Sequence, residues 1–202
     1  MSKRIENKFG IDHAIYGGIW SSEYSYINGY FYAAKILLDE EPRDLLIYPI
    51  LYTIRHLIEL HLKAIVNIIY KINDLKIELG EIKDYIKESL YTHSIKKLFN
   101  IFELRVKNIS TNKFDNNIKN LIFELAEDDI ESGEVFRYHI SKDRTSKIEI
   151  DNNPQMKKIE LNELKEKLEK IHHYLIGVSM CLDCEYYQPR LIMLEQIQDL
   201  YR

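Results

Sequence analysis

Nine consecutive residues, Arg55-His56-Leu57-Ile58-Glu59-Leu60-His61-Leu62-Lys63, put charge and imidazole inside an otherwise apolar helical run. At roughly 100° per residue, Arg55, Glu59 and Lys63 fall within about 80° of one another, with His56 and Tyr52 on the same side. Ile50, Ile54, Leu57, Leu60, Ala64 and Ile65 form the opposite wall. One face packs, and the other gathers a cation, a carboxylate, an imidazole and an ammonium. Histidine titrates near neutral pH and suits proton transfer. Arginine offers a planar fork to phosphate oxygens. The cluster reads either as a salt-bridged solvent face, since i, i+4 ion pairs are common on helices, or as the floor of a site.

The other candidates are spread along the chain. His61 lies about 120° from Arg55 on a regular helix, within the apolar arc, so it reads as a core or interface histidine or as a partner supplied across an interface. His93 stands at a predicted helix start, where it can serve a site or fix an inter-helix corner by a hydrogen bond. Arg137 and Tyr138 alternate across a strand pleat, and an inward arginine would need Glu59, Asp128 or Asp129 as partner. Lys142, Arg144 and Lys147 ring a polar turn and could touch phosphate or simply face water. Cys181 and Cys184 have no second cysteine pair for a structural zinc site, so two reduced thiols are expected. No metal and no cofactor is expected.

A chain of 202 residues with 46% hydrophobic and 30% charged content can bury a substantial core, so disorder is not expected over most of it. The net charge of -4 argues against coating nucleic acid everywhere but permits a local grip. The N-terminus lacks an apolar stretch behind its charges, and no run approaches a membrane span. A cytoplasmic location with no membrane contact is expected.

The elements that must position these groups are mainly helical. Residues 1–19 read as an arm, and 20–202 as a single domain. Ser21 or Ser22 caps a first helix that stops at Glu40-Glu41-Pro42. Pro49 then suits the first position of a long helix ending near Asn73-Asp74. Residues 75–91 read as a short surface helix. Thr92 or Ser94 caps the next helix, and another covers about 115–127. Two alternating runs predict a small β-hairpin at about 135–150. A long helix then runs from Leu161 to about Cys184, and Pro189 starts a last one.

The order of these signals resembles a bacterial branch of the HEPN superfamily, helical-bundle proteins common in toxin–antitoxin and phage-defence loci. The matching pieces are Tyr30-Phe31-Tyr32-Ala33-Ala34, then Pro49 through Lys63, then His93-Ser94-Ile95-Lys96-Lys97-Leu98, and Phe136-Arg137-Tyr138 after an acidic turn. Where the family more usually has His-Asp-Leu, this chain has Ser94. The resemblance implies an all-α HEPN-like bundle, here with a β-hairpin inserted before the long C-terminal helix, and often a homodimer. It also implies metal-independent RNA cleavage from an Arg-x(4–6)-His motif at a dimer interface, or a non-catalytic module binding a partner protein or a nucleotide-like ligand.

The literal motif match is Arg55-x5-His61. Arg55, His56, His93 and Arg137 are the expected catalytic residues, with Tyr52, Glu59, Lys63 and Tyr138 in support and His61 as the alternative. The expected function is a host-defence or toxin-type effector acting on RNA, with a second copy and a protein from a neighbouring gene as further partners.

Overall fold

The computed structural model describes residues 22–107, 109, 114–126 and 158–201. Among the described residues six α-helices form: α1 Glu23–Asp39, α2 Arg43–Glu78, α3 Ile95–Lys107, α4 Asn116–Leu125, α5 Leu161–Cys181 and α6 Gln188–Leu200. A π-helical segment, Leu182–Tyr187, joins α5 to α6. Among the described residues there is no strand. The all-α expectation therefore holds for them. The N-terminal arm and the expected hairpin at 135–150 lie outside the described residues.

Local sequence explains most boundaries. Ser22 caps α1 by accepting from the Ser25 amide at 3.2 Å, and Pro42 ends the connection behind it. Ser94 caps α3 through the Lys97 amide at 3.2 Å, and Asp115 caps α4 through the Asn117 amide at 2.8 Å. Each satisfies a donor that the first turn leaves without a carbonyl.

The long helix departs from expectation at both ends. It begins at Arg43, not Pro49, because the Pro42 carbonyl already accepts from Leu45 and Leu46 at 3.2 and 3.1 Å. Pro49 lies inside α2, where it removes one backbone donor. The helix also passes Asn73-Asp74, since Leu75 extends the buried face. It closes on Gly80 at φ 72°, with the Gly80 amide on the Ile77 carbonyl at 3.0 Å and the Glu81 amide on the Lys76 carbonyl at 2.8 Å. That pair of bonds is a Schellman closure.

Residues 82–94 contain no helix, which corrects the surface helix expected over 75–91. This strap is held by side chains instead. Tyr85 donates to Asp74 Oδ1 at 2.6 Å, and Tyr70 donates to Glu88 Oε2 at 2.9 Å. Arg105 of α3 grips both oxygens of Glu88. Burial, and then Glu88 itself, push the Tyr70 hydroxyl up to about 12, so it remains a donor at neutral pH.

The 36-residue α2 is the axis of the domain. Its apolar residues Ile50, Ile54, Leu57, Ile58, Leu62, Ile65, Ile69 and Ile72 are all buried. They share one core with Phe31 and Leu38 of α1, Leu98, Phe99 and Phe102 of α3, Ile122 of α4, and Leu168 and Leu175 of α5. The expected break between the last two helices is a change of helical pitch, with Pro189 in the first turn of α6.

Gly80 supplies a direct test of the Schellman closure. Gly80→Ala should lower the unfolding free energy by about 1 kcal/mol, because an L side chain is strained in the left-handed region. Gly80→Asn should cost less. Equilibrium urea unfolding measures both, and an unchanged Gly80→Ala midpoint would contradict the assignment.

Candidate functional site

Helical spacing carries Arg55, Glu59 and Lys63 of α2 onto one side, and the strap delivers His93 to the same place. Glu59 is the hub. Its Oε2 accepts from Arg55 Nη1 at 3.0 Å, and its Oε1 accepts from Lys63 Nζ at 2.8 Å. His93 Nδ1 lies 3.0 Å from the same Oε1, and His56 Nδ1 lies 3.9 Å from Oε2. The Arg55 Nη2 donates to the His93 carbonyl, so Arg55 clamps both the carboxylate and the corner that presents the histidine.

The burial of these groups differs sharply. Arg55 and Glu59 are 1% and 2% exposed, whereas the His93 side chain is 59% exposed. Lys63 and His56 are about a quarter exposed. The polar face of α2 is therefore covered at its base and open at its rim. Burial alone would raise the Glu59 carboxyl, but hydrogen bonds from Lys63, Arg55 and His93 outweigh it and hold the group below the usual carboxylate range.

Rings flank the cluster. Tyr30 of α1 meets the His56 ring edge-on at 4.5 Å between centroids. Tyr52 lies one turn before His56, with ring planes 9° apart and centroids at 5.8 Å.

His61 belongs to a different environment. It is 1% exposed, and its Nε2 lies 3.0 Å from Nδ1 of His172 on α5. His172 in turn stacks on Phe31 at 3.7 Å. Burial first, and then the nearby His172, push His61 down to about 3. Burial, His173 and Lys35 push His172 down to about 4. Both rings are neutral at physiological pH, and the pair is a hydrogen-bonded link between α2 and α5.

Of the residues singled out from sequence, Tyr52, Arg55, His56, Glu59, Lys63 and His93 come together, and His61 joins the α5 side. Arg137, Tyr138, Lys142, Arg144 and Lys147 lie outside the described residues, as do Asp128 and Asp129. Sequence reasoning missed the parts Tyr30 and His172 play, and the Glu88–Arg105 bond that anchors the strap. Helical periodicity ties each residue to its own helix and says nothing of a partner 17 positions away across a non-helical segment.

Cys181 and Cys184 are free. Among the described residues, no group of three or more His, Cys, Asp or Glu side chains could hold a metal, and no helix is long and apolar enough to cross a membrane. Comparison with known proteins gives no matching family model, curated protein or solved structure.

Two predictions follow from the burial pattern. Arg55→Ala should destabilise the fold by about 3 kcal/mol, because it strips a buried carboxylate of one donor while Lys63 and His93 remain. Chemical denaturation checks it, and a loss within experimental error would mean that the buried pair is replaceable.

The second concerns acid. His61 and His172 have folded-state values below the ordinary 6.5, so their contribution to stability is complete above that pH and declines as pH falls toward about 4. Glu59, also lowered, adds to the loss on the acid side of the carboxylate range. Stability should fall by up to about 2.7 kcal/mol per pH unit below 6.5, about 1.4 for each of the two rings, and a His61→Leu/His172→Leu variant should flatten that slope. A parent whose stability is constant from pH 7 to 4 would refute the buried neutral pair.

Proposed function

We propose that the chain is an HEPN-like host-defence or toxin-type effector that cleaves RNA by histidine acid–base chemistry at the Glu59 cluster. The observation that carries this reading is the pairing of a buried carboxylate with an open imidazole. Glu59 holds His93 Nδ1, which leaves Nε2 on the exposed side of the ring.

In the proposed reaction, His93 Nε2 takes the 2′-hydroxyl proton. The freed oxygen attacks the adjacent phosphorus, Lys63 stabilises the charge gathering on the phosphorane, and His56 returns a proton to the departing 5′-oxygen. The products are a 2′,3′-cyclic phosphate and a 5′-hydroxyl. Arg55 acts at one remove. Its guanidinium is enclosed, so the phosphate contact expected from sequence passes to Lys63, and Arg55 positions Glu59 and the His93 backbone. Arg137 as a catalytic residue, and Lys142, Arg144 and Lys147 as RNA contacts, retain their proposed roles on sequence grounds alone. A homodimer, and a partner protein from a neighbouring gene, belong to the same proposal.

The same burial of Arg55 favours a second reading. An arginine that is fully engaged inside the protein suits a non-catalytic HEPN-like module, binding a partner protein or a nucleotide-like ligand over the same face.

Incubation of single-stranded RNA with the purified protein in EDTA separates the two. The ribonuclease reading expects fragments ending in 2′,3′-cyclic phosphate. It also expects His93→Ala to lose about 10²- to 10⁴-fold in rate with near-parental unfolding, because that side chain is exposed. His56→Ala should lose activity as well. Cleavage that vanishes with chelation and returns with magnesium would overturn the mechanism. A His93→Ala enzyme of full activity would remove its base.

A further inference from the structure

An acid–base cluster alone has no means of preferring an unpaired strand, whereas an aromatic ring with an open face does, because every base has a π-face to stack. Tyr48, Tyr52 and His56 recur at every fourth residue of α2. Their Cα atoms therefore lie along one face with about 6 Å of rise between successive positions. The row leads toward Lys63, two turns further along the same face. Tyr48 is 48% exposed, and Tyr52 and His56 are partly buried. Tyr30 approaches from α1 and fixes the His56 ring edge-on. The packed face of α2 lies elsewhere, on Ile50, Ile54, Leu57 and Leu62, so these rings are not needed to fill the core.

We infer that Tyr52 and Tyr48, braced through His56 by Tyr30, form a stacking subsite for the unpaired bases of a single-stranded RNA whose backbone crosses Lys63 and His93. The inference rests on the proposed ribonuclease reading and adds the recognition element that reading lacks. The roughly parallel planes of Tyr52 and His56 suit offset stacking of a base that continues the row. Bases stacked inside a duplex cannot reach such a surface, so the subsite selects against paired RNA.

Fluorescence anisotropy with a labelled 2′-O-methyl oligoadenylate tests this, since that strand lacks the hydroxyl needed for cleavage and reports binding alone. The comparators are an abasic chain of equal length and charge, and the same adenylate paired in a duplex. The expected result is binding at least tenfold tighter to the single strand than to either comparator. Tyr52→Leu should lose about tenfold in affinity, while Tyr52→Phe, which keeps the ring, binds like the parent. Tyr48→Leu, at an exposed position, should weaken binding without affecting the fold.

Equal affinity for the adenylate and the abasic chain would overturn the proposal, and so would a Tyr52→Leu protein that binds normally or a parent that binds neither strand. Base-dependent binding by a protein that never cuts RNA would instead remove the ribonuclease reading and leave the subsite standing. Cleavage with base-independent binding would do the reverse.

Discussion

A carboxylate removed from water keeps its charge only if the protein replaces the donors that water supplied. Glu59 meets that condition with Arg55 and Lys63, one turn to either side on α2, and with His93 from the start of α3. The two helical donors come from spacing alone. The third requires residues 82–94 to run as a non-helical strap that ends with His93 beside Glu59. Glu59 therefore sets a condition on the path of the chain as well as on its own helix.

The strap meets that condition through a second, half-buried charge pair. Arg105 and Glu88 tie it to α3, and Tyr70 and Tyr85 tie it to the far half of α2. The two pairs act in series: Glu88 fixes where the strap runs, and Arg55 fixes where it ends by donating to the His93 carbonyl. His93 is consequently held from both its backbone and its Nδ1 while most of its side chain stays open. Such an arrangement orients an imidazole without enclosing it, which a proton-transfer group requires. The His61–His172 link uses the same side chain for the opposite purpose. Both rings are enclosed, each meets the other, and neutrality is the cheaper state there.

Much of the fold was legible because its signals are local. Ser22 and Ser94 announce helix starts by their own hydrogen bonds, and the apolar arcs of α2 and α5 follow the helical period. The start of α2 differs from expectation because Pro49 has the right chemistry for a first helical residue, yet Pro42 offers its carbonyl seven residues sooner. The strap was misread because a run rich in Lys and Glu suits a surface helix by propensity. Tertiary bonds from Tyr70, Tyr85 and Arg105 decide its path instead. At the site, the i, i+4 spacing showed Arg55, Glu59 and Lys63 as one group and put His61 on the other side. It could not show which member of the group would be sealed in.

That last point changes how an arginine–histidine spacing should be read on a single helix. An arginine near a histidine invites assignment as the phosphate ligand, but side-chain length lets Arg55 fold back onto the protein and use both ends of its fork on internal acceptors. Once Nη1 is on Glu59 and Nη2 is on the His93 carbonyl, its cationic charge is balanced locally and its donors are directed inward. Lys63 shares the same carboxylate but remains about a quarter exposed, with a flexible stem and donors to turn outward. The residue that looks most like a ligand in the sequence is thus the one that builds the site. The cation that keeps access to the outside is the lysine two turns further along.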